Sequence, residues 1–272
     1  MRYILVIVLS YILGSSNMAK YIAYFKKVDL SAGGSGNPGA SNAVILMGWG
    51  AGVLTALHDI GKSALAVVLA RLVFPELPYI GAVAGVASVL GHIYPFWMKF
   101  KGGKGFASYL GMTIALNWRI SIVVLLLVGI VTLVTDYIVA ATTNTIIIVP
   151  AWLGIASHSW ILALILLVAS VVIAWKHREN YVRMYNGTEI RFRKAGRAIT
   201  GWTNNLNNWR NQYEPYRTDG AEKYLRPAGS VEQALQACQG SRQLPRDRAV
   251  AAHSEDHEGR SAGRKCGAGG QG

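Results

Sequence analysis

Residues 79–108 read YIGAVAGVASVLGHIYPFWM followed by KFKGGKGFAS. Tyr79–Met98 is apolar over about the 20 residues that one membrane crossing needs. The next ten residues hold three lysines, Lys99, Lys101 and Lys104, and three glycines, Gly102, Gly103 and Gly105. No other part of the first 190 residues combines so much positive charge with so much backbone freedom. A glycine-rich turn that aims its N–H groups inward at the start of a helix is an anion site, and the lysines add charge. The stretch predicts a phosphate-bearing substrate handled at the face of a membrane.

The composition agrees. Of 272 residues, 52% are hydrophobic and 15% charged, against roughly 25% charged in a soluble chain. The net charge of +13 does not point to nucleic acid. Up to residue 190 the bases gather in short gaps between apolar runs, as cytoplasmic loops do. Cys238 and Cys266 both lie in the polar C-terminal part, so no disulfide framework is implied. Met1–Leu13 with Gly14-Ser15-Ser16 has the outline of a signal peptide. Apolar character resumes over Met18–Phe25 and ends at Lys26-Lys27, which favours a retained first helix.

The expected fold is an all-α integral membrane protein with about seven transmembrane helices. The spans are 1–24, 43–74, 79–98, 106–116, 121–134, 137–157 and 161–176. The second is too long for one crossing, so extra helix is expected at the interface. Loops 25–42 and 99–105 and the segment from Lys176 are basic, whereas turns 75–78 and 158–160 carry no base. The N-terminus is therefore expected outside and the C-terminus in the cytoplasm. Arg119 is the exception. Two parts are expected: a membrane domain, 1–190, and a basic polar tail, 191–272, largely disordered. The aromatics of 202–216 would allow a surface contact with the bilayer.

Three polar motifs fall on the expected cytoplasmic side. The first is Gly33–Asn42, GGSGNPGASN, entering the apolar run at Ala43. Ser and Asn cap helices and glycines let a ligand approach; a plain flexible loop is the competing reading. The second is the opening stretch, where a basic flanking loop would not call for Gly102, Gly103 and Gly105. His92, just before it, reads as a satisfied core histidine. The third is Lys176–Glu189, KHRENYVRMYNGTE. His177 and Asn180 share a helix face, and Asn186-Gly187 reads as a C-cap. Two glycine-rich loops entering helices suggest two phosphate groups, and the His–Asn face supplies polar groups for chemistry. No HExxH, cysteine cluster, paired acid or Walker-type loop is present. The expectation is a reaction of two phosphosubstrates with no metal, no cofactor and no nucleic-acid partner.

SYILGS, GSGNPGASN, GHIYPFWMKFKGGKGFAS and WKHRENYVRMYNGTE, in this order and spacing, resemble the PlsY family over residues 1–190. These are bacterial inner-membrane glycerol-3-phosphate acyltransferases that use acyl-phosphate as donor. The resemblance implies transfer of a fatty acyl group to the 1-hydroxyl of glycerol 3-phosphate, giving lysophosphatidic acid for phospholipid synthesis. It implies a multi-pass protein with its active-site loops on the cytoplasmic face. The partners would be acyl-phosphate, glycerol 3-phosphate, the bilayer and the enzyme that makes acyl-phosphate. It places Ser35, Lys104, His177 and Asn180 in the reaction. Gly34, Gly36, Asn37, Gly39 and Asn42 would form one anion cradle, while Gly102, Gly103 and Gly105 would bind glycerol 3-phosphate. Glu179 would be structural.

The chain also departs from the family pattern. Ser31 stands where the family has an arginine, and so does Asp136, which puts an acid near the expected phosphates. Ser15-Ser16-Asn17 replaces S-I-P, and D-x-x-K-G appears as Asp59-Ile60-Gly61-Lys62-Ser63. Two other readings stand beside the enzyme. One is a non-catalytic, divergent relative that binds a phosphorylated metabolite or lipid. The other is an anion transporter, against which count the absence of an internal repeat and the one-sided placement of the motifs.

Overall fold

The computed structural model describes residues 1–193. Apart from Arg191, Phe192 and Arg193, the tail expected over 191–272 lies outside the described residues. All regular structure within them is helical: α1 Arg2–Gly14, α2 Met18–Lys26, α3 Ala40–Met47, α4 Trp49–Val73 and α5 Ile80–Ile93 come first. A short 3-10 turn, Phe96–Met98, precedes α6 Phe106–Leu116, α7 Trp118–Thr135, α8 Ile138–Ala156, α9 Trp160–Lys176 and α10 Arg178–Tyr185.

Local chemistry sets many of these boundaries. Asn17, Asn117 and Ser159 accept hydrogen bonds from Lys20 N, Ile120 N and Leu162 N, capping α2, α7 and α9. The first expected span is thus one run, Arg2–Lys26, broken at Ser15–Asn17. The over-long second run divides at Gly48, whose φ of +89° suits glycine, into interfacial α3 and a 25-residue α4.

Contacts at the two ends show how the chain runs. At one end Arg2 pairs with Glu76 at 2.7 Å, Tyr3 OH donates to Pro78 O, Ser159 bonds Tyr79, and Arg71 donates to Ala115 O. At the other, Trp97 Nε1 donates to Ser15 O, Lys104 to Asn180 Oδ1 and Phe192 N to Asp136 O. Between these ends run α1–α2, α4, α5, α6, α7, α8 and α9. Five passes, 2–26, 49–73, 80–98, 118–135 and 138–156, are long and apolar enough to cross a membrane. A sixth counts if Trp160–Lys176 and Arg178–Tyr185, bent by 49°, form one span. The remaining pass, α6, has 11 residues, about 16 Å at 1.5 Å per residue.

The most buried helix is α5. Gly81, Ala82, Ala84, Gly85, Ala87, Ser88 and Gly91 give it a thin surface. In a bilayer, small residues let helix backbones approach, and dispersion replaces the hydrophobic drive between helices. A Cβ on Gly14 would lie 2.0 Å from Ser88 O, and one on Gly91 2.2 Å from Tyr11 O, so α1 and α5 meet backbone to backbone. Val86, Val89 and Ile93 on α5 join Tyr109, Met112, Val149, Leu166 and Ile173 in the main core. Buried hydroxyls pair across helices, Ser63 with Ser88 and Tyr109 with Ser170, each at 2.9 Å.

Gly91→Ala pushes α1 away from α5, and a loss of about 1–3 kcal/mol is expected from overpacking. Thermal unfolding in detergent measures it. Gly129→Ala, where a Cβ would meet nothing within 4 Å, is expected to leave the melting temperature unchanged or slightly raised.

Candidate active site

The first motif folds back on itself. Asn42, in the first turn of α3, is buried. Its Oδ1 accepts from Ser35 N at 2.9 Å and its Nδ2 donates to Leu30 O at 3.1 Å. The loop tightens over it because Gly34 and Gly36 have φ of +60° and +65°, and a Cβ on Gly34 would strike Asn42 Oδ1. The α3 N-cap is Gly39, with no side-chain cap bond. The amide of Asn42 therefore staples the loop rather than capping the helix. Gly39 N bonds Asn37 O at 2.9 Å. Ser35 is left exposed at the tip.

The second motif is packed differently from the expected nest. Gly102 N donates to Ile93 O and Gly103 N to His92 O, so these two donors are already taken by the end of α5. The glycines serve closeness instead. A Cβ on Gly102 would lie 2.1 Å from His92 O, and one on Gly103 2.0 Å from His92 Nε2. Gly105, at φ +93°, turns the chain into α6. The N–H groups of Phe106, Ala107 and Ser108, in the first turn of α6, have no intrahelical acceptor. Ser108 Oγ there is buried with no partner among the described residues. The anion-ready donors are thus Lys104 and the start of α6.

The second and third motifs meet directly. Lys104 Nζ donates to Asn180 Oδ1 in a short hydrogen bond. Asn180 Nδ2 donates to Glu189 Oε1 at 2.6 Å, and Glu189 Oε2 accepts from Arg183 Nε at 2.8 Å. Gly187, at φ +69° after α10, bends the chain so that Glu189 returns to its helix. Burial, with Arg183 nearby, holds the Lys104 ammonium below the ordinary lysine range. An arriving phosphate acts in the opposite sense. His177 is buried and its Nδ1 lies 2.9 Å from Ile173 O. A carbonyl only accepts, so Nδ1 carries the proton and Nε2 keeps a free lone pair.

No hydrogen bond among the described residues joins the first motif to the other two. They are tied through the break between α1 and α2. Asn17 Nδ2 donates to Pro38 O at 3.0 Å, Ser16 Oγ bonds His58 Nε2 at 2.8 Å, and Trp97 Nε1 bonds Ser15 O at 2.8 Å. Lys62 Nζ reaches Ser16 O at 2.6 Å.

Glu179 is 68% exposed and pairs with Arg178 at 3.7 Å. The carboxylate that holds the third motif together is Glu189, ten residues on, which sequence reasoning did not single out; its distance beyond a glycine turn concealed it. Asp136 is also occupied. Its Oδ1 accepts from Arg193 N at 2.8 Å, and Arg193 NH2 donates to Leu133 O at 2.7 Å. The acid thus pins the chain after α10 to the end of α7. Ser31 turns back on Asp29 through N and Oγ, at 2.9 and 2.6 Å.

The glycerol-3-phosphate acyltransferase family matches residues 4–187. The glycerol-3-phosphate acyltransferase of Prochlorococcus marinus (strain MIT 9301) is 34% identical over 197 residues, 71% of this chain and 98% of that protein. That of Coxiella burnetii (strain Dugway 5J108-111) is 35% identical over 193 residues, 70% and 97% of the two chains. Crystal structures of PlsY (YgiH), an integral membrane glycerol 3-phosphate acyltransferase, superpose well. The glycerol 3-phosphate form has a TM-score of 0.66 at 33% identity, covering 70% of this chain and 95% of that one. The lysophosphatidic acid form has a TM-score of 0.65 at 31% identity. Fold and matches define the class as all-helical integral membrane proteins. Within it, this chain belongs to the glycerol-3-phosphate acyltransferase family.

Glu189→Ala releases both Asn180 and Arg183 and is expected to cost about 1–3 kcal/mol, the range for leaving buried polar groups unsatisfied. Glu179→Ala, at an exposed position, is expected to stay within about 0.5 kcal/mol. Thermal unfolding of the two variants side by side measures the difference.

Proposed function

We propose that this protein transfers a fatty acyl group from acyl-phosphate to the 1-hydroxyl of glycerol 3-phosphate, yielding lysophosphatidic acid and inorganic phosphate. The observation that carries the reading is the meeting of Lys104 with Asn180 on the turn that also bears His177. It places a cation, an amide and a free imidazole lone pair together beside the uncapped start of α6. Acyl-phosphate is a mixed anhydride with a good leaving group, so positioning and charge stabilisation supply most of the catalysis.

In the proposed step, His177 Nε2 takes the proton of the 1-hydroxyl as its oxygen attacks the acyl carbonyl. The bond from that carbonyl carbon to the phosphate oxygen breaks, the phosphate leaves with the electron pair, and the imidazolium returns its proton to it. Lys104 and the first-turn N–H groups of α6 hold the phosphate of glycerol 3-phosphate. Gly102, Gly103 and Gly105 allow that loop to lie against α5. Ser35, on a tip shaped by Gly34, Gly36, Asn37, Gly39 and Asn42, meets the phosphate of the acyl donor. Asn180 positions Lys104.

The same reading sets the protein in a bacterial inner membrane with seven crossings, the N-terminus outside and the site on the cytoplasmic face. The bases of loops 25–42 and 99–105 and of the stretch after Lys176 support this orientation. Residues 1–190 form the catalytic membrane domain and 191–272 a cytoplasmic tail. The enzyme that produces acyl-phosphate is the natural neighbour, because its product is both reactive and lipid-soluble.

Membranes carrying the protein, given radiolabelled glycerol 3-phosphate and acyl-phosphate, are expected to form lysophosphatidic acid. No product above empty membranes, with a verified family enzyme active alongside, overturns the proposal. His177→Ala is expected to lower kcat by about 10²–10⁴-fold, the usual worth of a general base. A chain ending at Arg193, which keeps the contact with Asp136, is expected to retain activity.

A further inference from the structure

His92 lies in the buried helix α5 and is 3% exposed. Its Nδ1 is 2.9 Å from Lys62 Nζ. That ammonium has two partners at hydrogen-bond geometry, Ser16 O at 2.6 Å and His92 Nδ1 at 2.9 Å, and it is ion-paired with Asp59 Oδ1 at 2.8 Å. An ammonium can only donate, so the ring nitrogen facing it accepts and the ring proton is left on Nε2. Asp59 Oδ1 also lies 3.3 Å from Nδ1. The Lys62 contact is the shorter of the two and the one that meets hydrogen-bond geometry, whereas Asp59 Oδ1 has no hydrogen-bond partner among the described residues.

Nε2 is therefore a donor, and it makes no hydrogen bond with any described residue. It faces the glycine loop, since a Cβ on Gly103 would come within 2.0 Å of it. The loop's own N–H groups at Gly102 and Gly103 are spent on α5. An unpartnered donor on a buried ring thus stands under the loop that carries Lys104. A protonatable cluster held inside a helix bundle is costly and asks for a function.

We propose that His92 Nε2–H is a further hydrogen-bond donor to the phosphate of glycerol 3-phosphate bound at the Lys104 loop. Lys62 is the positioning residue that fixes its tautomer, and Asp59 is the counter-ion of that lysine. The proposal rests on the phosphosubstrate reading above and adds a residue to it. The role differs from that of Lys104: the imidazole stays neutral, so it adds direction without adding a cation to a loop that already holds three lysines. Its ring is oriented opposite in sense to His177, whose Nδ1 donates to Ile173 O and whose Nε2 accepts. One histidine offers a proton and the other takes one.

Two variants and one measurement on the unaltered protein test this. His92→Gln can carry an amide donor close to the place of Nε2. His92→Asn keeps a polar group near Lys62 but falls short of the loop. In calorimetric titration of the full chain in detergent, His92→Asn is expected to bind glycerol 3-phosphate about tenfold more weakly, or worse, from losing one hydrogen bond to a charged group. His92→Gln is expected to remain within about threefold, and the KM for acyl-phosphate to be unchanged in both. Equal affinity of His92→Asn and the unaltered protein overturns the proposal.

Nitrogen-15 NMR of histidine-labelled protein needs no variant to fold beyond the one that assigns the signal. The His92 ring is expected to be protonated on Nε2 and bare on Nδ1, with the Nε2 resonance moving when glycerol 3-phosphate is added. A ring protonated on Nδ1, or an Nε2 signal that does not move, overturns it. Acyl transfer is scored separately. A protein that binds glycerol 3-phosphate through His92 but makes no lysophosphatidic acid keeps this inference and loses the enzyme. One that makes lysophosphatidic acid with His92→Asn binding unchanged does the reverse.

Discussion

The ammonium of Lys62 is the point on which the site is built. It lies inside α4, a helix long and apolar enough to cross a membrane, and it is almost wholly buried. An unpaired charge there is expensive, and burial is tolerated only with partners for the charge and for each donor. The three partners come from three places: Asp59 one turn earlier on α4, the carbonyl of Ser16 at the break between α1 and α2, and His92 near the end of α5. Satisfying one lysine therefore sets the first helix break, the end of the central helix and the glycine loop above it against one another. Ser16 and Asn17 extend the arrangement to His58 and to the Pro38 carbonyl of the first loop.

The glycines beside this cluster work by being small. Sequence reasoning gives a lysine–glycine loop its familiar role, in which backbone N–H groups point at an anion. Here Gly102 and Gly103 spend theirs on α5, and their missing Cβ atoms let the loop lie against His92. The donors left for an anion are Lys104 and the start of α6. Lys104 is held by Asn180, which is held by Glu189, which also holds Arg183. Such a chain of charge-assisted bonds fixes the lysine more firmly than a flexible four-carbon stem would alone.

Asp136 and Ser31, where the resemblance implies arginines, have structural employment of their own. Asp136 faces the backbone N–H of Arg193 and, with φ of +67°, ends α7. Arg193 in turn donates to Leu133 O near that helix end, a favourable place for a cation. The acid is thus a docking point for Phe192 and Arg193, after α10. Ser31 closes a turn on Asp29 and tightens the approach to the first loop.

Much of the fold was legible in the sequence, because apolar run length follows from the bilayer itself. The short helix over 106–116, the surplus length before α4 and the C-cap at Asn186-Gly187 could all be read from residue types and spacing. What required the tertiary structure were the partners. Asp59 and Lys62 are three apart and visible as a pair, but nothing local says that Ser16 and His92 complete it. His92 reads as an ordinary core histidine until the lysine 30 residues away determines which of its nitrogens carries the proton. Glu189 outranks Glu179 only because a glycine turn folds it back onto Asn180. Sequence determines which groups must avoid hydrocarbon; which group each of them meets depends on distances between helices, and those are set by packing.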